Sequence, residues 1–205
     1  MARDEERLMR AQEEPIVGGL PDVPGIGVAM RLTPGLGIHM RGLADELLVH
    51  DFPGATLDRV EREMIATAVS AANDCFFCMD SHAAHATALL ERSGATERAP
   101  LLDGIKVGST EGLDDKMRAL LHVARTVGGD ARQLTAADVD AARAAGATDG
   151  DVQLAILISA GFSMYNRMVD GFRARTAPST EAYGTRAGEI AAHGYSGLPA
   201  PSVPG

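Results

Sequence analysis

The chain has only two cysteines, and they stand three residues apart at Cys75 and Cys78, with His82 four residues beyond the second and Glu63 twelve before the first. Each of these residue types is one that peroxide or disulfide chemistry at a thiol uses. A thiolate is the nucleophile, a second thiol closes a disulfide on the oxidised first, and a carboxylate and an imidazole move protons. The same types also bind zinc, and Cys75, Cys78, His82 and His85 read as a C-x2-C-x3-H-x2-H string. Helix geometry weighs against that reading. Ten residues of one straight helix span about 15 Å at a rise of about 1.5 Å each, so the four side chains do not converge on one ion. His39, His50, His122 and His193 form no motif that would complete a site. A plainer alternative is that both cysteines are small buried side chains, as free cysteine often is.

Two consecutive helices must position these residues. Asp58 followed by Glu61 makes a capping box, and Val60, Met64, Ile65, Ala68 and Ala72 then fall at helical spacing, which predicts a helix over 57–72. Glu63, Thr67 and Ser70 form a polar stripe beside its apolar face. Asn73 and Asp74 are both good N-cap types, and a second helix is predicted over 75–92, stopped by Ser93 and Gly94. The cysteine pair then sits in a first helical turn, where unpaired amides and the positive end of the macrodipole favour a thiolate. Cys75, Cys78 and His82 share one face. His85 reads as an exposed helix histidine, and Asp74 as an N-cap.

Helices separated by glycine and proline account for the rest. Residues 1–37 are a loop-rich N-terminal segment with a short helical turn near Val28, and a helix is predicted over 38–49. An amphipathic helix over 113–127 is closed by Gly128 and Gly129. Thr135 with Asp138 caps a short helix that ends at Ala145 and Gly146. Thr148 caps a longer one whose first half is apolar nearly all round and is expected to be the most buried of the domain. Asn166 and Arg167 interrupt its apolar run and read as bonding at a subunit interface, the alternative being that they mark where the helix emerges from the core. Strand-like alternation is absent, so 38–175 forms one all-α domain. Residues 176–205 form a C-terminal tail around a short helix at 185–192, mobile in a monomer and able to pack on a neighbouring subunit in an oligomer.

Composition narrows the function classes. The formal net charge is -9, and the 19 Lys and Arg are scattered among 28 acids, which argues against nucleic acid or an anionic membrane as partner. Hydrophobic residues make up 45% of the chain with only eight aromatics and no Trp, so the core is aliphatic and helix-friendly. The first fifteen residues hold no apolar run suited to a secretory signal, and no later stretch reaches the roughly 18 apolar residues of a membrane span. A reducing cytoplasm is the expected location, and there a Cys-x-x-Cys is more often catalytic or metal-binding than structural.

The stretch Glu63-x11-Cys75-Phe76-Phe77-Cys78-x3-His82 is similar to the signature of the AhpD-like alkylhydroperoxidases, within the carboxymuconolactone decarboxylase superfamily. Residues 114–172, with the phrase Tyr165-Asn166-Arg167, resemble the downstream half of its peroxidase-related branch. The resemblance implies an all-α, AhpD-like multihelical fold whose subunits intertwine into trimers or hexamers. It implies a thiol peroxidase or related reductase with no cofactor or metal, an organic hydroperoxide as substrate, and an external dithiol reductant that is lipoyl-bearing or thioredoxin-like. By the same resemblance Cys78 is the peroxidatic thiol, Cys75 the more exposed resolving thiol, and Glu63 with His82 the proton relay. The best-known members carry a second histidine just before the second cysteine, where this chain has Phe77. The decarboxylase branch lacks the cysteine pair, so the pair argues against decarboxylation.

The chemistry runs as follows. Glu63, directly or through water, with His82 alongside, draws the proton from Cys78. The thiolate attacks the terminal peroxide oxygen, and the sulfenic acid left behind condenses with Cys75. General thiol-disulfide oxidoreduction is a close neighbour of this reading, and a non-catalytic oligomeric module or a zinc protein is the alternative of another class. An apolar lining from Phe76, Phe77 and Met79 would suit an organic hydroperoxide.

Overall fold

The computed structural model describes residues 14–176 and 180–197, together with Glu5 and Met9. Among the described residues there is no strand, and the fold is all-α, as expected. Its helices are α1 Gly27–Leu32, α2 Pro34–Leu48, α3 Arg59–Ala72, α4 Phe76–Ser93, α5 Pro100–Lys106, α6 Asp115–Asp130, α7 Ala136–Ala144, α8 Asp149–Gly171 and α9 Gly184–His193, with three short 3₁₀ turns between them. No described helix is long and apolar enough to cross a membrane.

Helix α3 is the centre of the molecule. Its capping box forms as predicted, with the Asp58 carboxylate accepting from the Glu61 N–H and the Glu61 carboxylate accepting from the Asp58 N–H. Eleven of its fourteen residues are buried, so it takes the place expected for α8, which leaves Leu157 and Met164 exposed. The reason is position: α3 is packed by α4, α6 and α8 on different sides, whereas α8 has an open flank.

Two boundaries differ from the sequence reading by three residues or more and one helix is additional to it, each for a local cause. Helix α2 starts at Pro34, four residues before the predicted start, because the Thr33 hydroxyl accepts from the Leu36 N–H and Pro34 suits the first helical position. Gly128 and Gly129 do not close α6, which runs on to Asp130. A Cβ at Gly128 would stand 3.3 Å from both Ser159 Oγ and Val69 Cγ1, so this glycine lets three helices approach closely. Helix α5 has no apolar periodicity long enough to announce it and forms behind Pro100.

The N-terminus of α8 is fastened by a buried carboxylate. Asp151 accepts from the backbone N–H groups of Thr56, Leu57 and Thr148 and from the Thr56 hydroxyl, which joins the start of α8 to the approach to α3. The chain then returns. Residues 183–196 fold back onto the chain's own α4, with Ala187 and Ala191 against Ala88. The Asp45 carboxylate accepts from the Tyr195 and Ser196 N–H groups, and the Arg59 guanidinium donates to the Ile190 and Ala191 carbonyls at the end of α9. The helix of this segment is the one predicted over 185–192, one residue longer at each end.

Candidate active site

The turn between α3 and α4 sets the cysteines. Asn73 is the C-cap of α3, and Asp74 takes a left-handed backbone (φ 53°), so neither caps α4 as the sequence suggested. Cys75 occupies the N-cap position itself, and Cys78 lies in the first turn. Asn73 uses its side-chain amide instead to donate to Ser163 Oγ (3.1 Å) and Asn166 Oδ1 (2.9 Å), while the Asn166 amide donates to Ser70 Oγ (3.1 Å). Asn166 is buried, and these bonds lie inside the chain, which corrects the interface reading for that residue. Ser70, from the polar stripe, is thereby explained: it is an acceptor that fixes α8 against α3. The Cys75 thiol points at the Asn166 carbonyl at 3.9 Å.

Both thiols are free and buried, Cys75 at 0% exposure and Cys78 at 3%. Cys75 is therefore not the more exposed of the two. Its thiol is pushed far up, first by its hydrogen bond with the Cys78 sulfur and then by burial. The thiol that opens to space is Cys78. It lines a largely apolar cavity of about 120 Å³ with Phe77, His82, Phe162, Tyr165 and Tyr183. Phe77 is pressed edge-on to Tyr183, with ring centroids 5.6 Å apart, and it covers Gly25, where a Cβ would be 2.2 Å from the ring. Phe76 and Met79 do not line the cavity and pack with Ala71 elsewhere, so only Phe77 of the expected apolar trio is there.

Beside Cys78 is a closed polar network. Glu63 Oε2 stands 2.7 Å from His82 Nδ1, and Glu63 Oε1 accepts from the Tyr195 hydroxyl at 2.8 Å. The Tyr195 oxygen lies 3.0 Å from His85 Nδ1. Burial pushes the Glu63 carboxyl up, but the two imidazoles around it, His82 first, outweigh burial and bring it down to about 2. An ionised carboxylate only accepts, which assigns the protons. His82 donates Nδ1–H to Glu63, Tyr195 donates O–H to Glu63, and His85 donates Nδ1–H to Tyr195. His82 is then left with Nε2 as its basic nitrogen. His85 is held neutral, chiefly because burial lowers its pKa against the pull of Glu63. The Tyr195 hydroxyl is raised well above its ordinary range, by burial and then by the Glu63 charge, and stays protonated.

Of the four residues singled out in the sequence, Glu63 and His82 are bonded to each other, and Cys78 and His82 line one cavity with Cys75 behind. Two members were missed. His85 is buried and bonded, not an exposed helix histidine. Its three-residue spacing from His82, which puts both on one helix face, was the available signal. Tyr195 lies in the tail, 132 residues from Glu63, and nothing in its neighbourhood marks it.

Glu63, His82 and His85 offer ligand atoms within 4.8 Å of one another, a different set from the cysteine-containing string. The Nδ1 atoms of both histidines and both Glu63 oxygens are engaged in hydrogen bonds within the network. The set carries no orphaned polar group that calls for an ion.

Residues 40–99 match the carboxymuconolactone decarboxylase family model. The fold is similar to that of a protein from Ralstonia eutropha JMP134 described as an alkylhydroperoxidase AhpD core, an uncharacterized peroxidase-related protein. Identity is 26%, coverage is 92% of this chain and 90% of that one, and the TM-score is 0.66. It is also similar to an uncharacterized peroxidase-related protein from Silicibacter sp. TM1040, at 24% identity, 85% and 94% coverage and a TM-score of 0.65, a likeness of fold. No protein of curated function is significantly similar in sequence. An all-helical domain with a Cys-x-x-Cys at a helix start, backed by a glutamate and a histidine, defines a class. The family match over residues 40–99 and the likeness of fold support placing the chain with the AhpD-like proteins of the carboxymuconolactone decarboxylase superfamily.

Proposed function

We propose that this protein is a thiol-dependent reductase of organic hydroperoxides. The observation that carries the reading is that Cys78, not Cys75, lines the apolar cavity beside His82, whose other ring nitrogen is bonded to a buried, ionised Glu63. In this reading His82 Nε2 takes the Cys78 proton. The thiolate attacks the terminal oxygen of ROOH, the S–O bond forms as the O–O bond breaks, and the departing alkoxide takes the proton from His82 to leave as ROH. The Cys75 sulfur then attacks the Cys78 sulfenic acid, hydroxide leaves and is protonated to water, and a disulfide remains. Two electrons from an external dithiol, lipoyl-bearing or thioredoxin-like, restore both thiols.

Burial favours a peroxide over a protein disulfide as the oxidant. Neither sulfur is open to a folded partner without movement, so the cavity suits a small hydroperoxide as the oxidant, and the external dithiol reaches the disulfide only after such movement. We place the activity in the reducing cytoplasm, where a Cys-x-x-Cys cycles. We assign the functional form as a homo-oligomer, trimer or hexamer, supported by the exposed apolar side chains Ile38 and Leu43 on α2 and Leu157 and Met164 on α8. Light scattering at working concentration checks this: trimer or hexamer mass is expected, and monomer mass contradicts it. The activity test is consumption of tert-butyl hydroperoxide with a dithiol reductant. Cys78→Ser is expected to abolish turnover and Cys75→Ser to stop it after one oxidation. Turnover unchanged in both would sink the reading.

A further inference from the structure

Two arginines from two elements line the cavity that holds Cys78, and a third carries its charge nearby. Arg41 on α2 and Arg186 on α9 line it directly. Arg31 on α1 and Arg41 lie close enough to Arg186 for their charges to act against its own, behind the larger effect of burial and the opposing pull of Glu189. Among the described residues no aspartate or glutamate lines the cavity, in a chain whose formal net charge is -9. The cluster is also poorly neutralised. The nearest carboxylate to Arg186 is Glu189 at 3.4 Å, and both are half exposed. Among the described residues Arg31 and Arg41 have no ion-pair partner, and the Arg31 Nε is buried with no hydrogen-bond acceptor. Cations brought together without counter-charge repel one another, and an anion between them relieves that repulsion with directed, charge-assisted hydrogen bonds.

The remaining walls say what is attached to the anion. Ile26, Met30, Ala44, Phe162 and Ile190 give the cavity an apolar body, with the thiol and the imidazole on one side and guanidiniums on another. Resting on the peroxidase reading, we propose that the substrates are short organic hydroperoxides that carry a carboxylate, with the carboxylate between Arg41 and Arg186, Arg31 behind, and the peroxide at Cys78. The carboxylate takes no part in the redox step, so the electron and proton balance given above is unchanged. Arg186 and Ile190 belong to the returning C-terminal segment, which makes α9 part of the specificity surface as well as a cover.

The test separates the anion site from the peroxidase chemistry. Calorimetric titration with hexanoate and with hexanol reads the site without turnover. Hexanoate is expected to bind at least about tenfold more tightly, and the doubly substituted Arg41→Met, Arg186→Met protein is expected to lose that preference. Steady-state kcat/KM for a tertiary alkyl hydroperoxide bearing a terminal carboxylate, against its methyl ester, is expected to favour the acid by a similar factor in the wild type alone. Equal binding of hexanoate and hexanol, or a preference that survives the double substitution, overturns the proposal even if both hydroperoxides are reduced. A preference for hexanoate with no reduction of either hydroperoxide upholds the anion site and brings down the peroxidase reading.

Discussion

At the scale of single residues, the site depends on how few polar atoms are left over around Glu63. Both carboxylate oxygens are used, one by His82 and one by Tyr195, and Tyr195 in turn accepts from His85. Tyr195→Phe removes one O–H donor and one acceptor from a buried network, which leaves Glu63 and His85 each short of a partner. A loss of about 1–3 kcal/mol is expected, read as a lower urea midpoint, because unsatisfied buried groups cost about that much. Glu63 and His82 were legible because nineteen residues spread over two consecutive helices and the turn between them bring a turn of each together. His85 was half legible, on the right face but taken for a surface group. Tyr195 was not legible, since a contact across 132 residues leaves no local pattern. Phe77 stands where the best-known relatives place a histidine, and its ring is spent on Gly25 and Tyr183. The second imidazole in this chain comes from His85, one turn further along α4.

At the scale of elements, the C-terminal segment reads differently in the fold than in the sequence. Its glycine, proline, serine and alanine content describes a tail, yet residues 183–196 are fastened to the chain's own α2, α3 and α4 through Asp45, Arg59 and Ala88. The latch is most exposed to test at Asp45. Asp45→Ala leaves the Tyr195 and Ser196 N–H groups without their acceptor, at about 1–3 kcal/mol. Amide exchange in the segment around Tyr195 is expected to speed up roughly tenfold to a hundredfold while exchange in α3 stays the same. Equal acceleration in both would mean that Asp45 supports the whole fold and not the latch. Helix starts with paired signals, such as Asp58 with Glu61 and Thr135 with Asp138, were legible because the cap is a local bond. The continuation of α6 through Gly128 was not, because a glycine that permits close packing looks the same in sequence as one that ends a helix.

At the scale of the whole molecule, the buried network ties stability to pH. Glu63 in the fold has its pKa lowered from 4.5 to about 2, so the unfolded chain binds the proton first as pH falls. Its contribution, on the order of 3 kcal/mol, is complete above pH 4.5 and is lost as pH drops toward 2. His85 is also lowered, from 6.5, and the sign is the same: neutral in the fold, it contributes above pH 6.5, and that part fades as pH falls below it. Unfolding midpoints are therefore expected to decline in acid, starting below pH 6.5 and steepening below pH 4.5. In Glu63→Gln the steepening below pH 4.5 should be reduced, with the lowered carboxyls of Asp151 and Asp138 left to account for the rest. A flat wild-type profile over that range would contradict the assigned charges.

The division of labour between the two thiols is the claim on which the rest depends, and intact mass after one equivalent of tert-butyl hydroperoxide addresses it directly. Wild type is expected to form an intramolecular disulfide. Cys75→Ser is expected to stop at a sulfenic acid on Cys78 that a cyclic diketone traps, and Cys78→Ser is expected to stay reduced. A trapped sulfenic acid on Cys75 in Cys78→Ser, with none on Cys78 in Cys75→Ser, would reverse the assignment. No oxidation in any of the three proteins would end it.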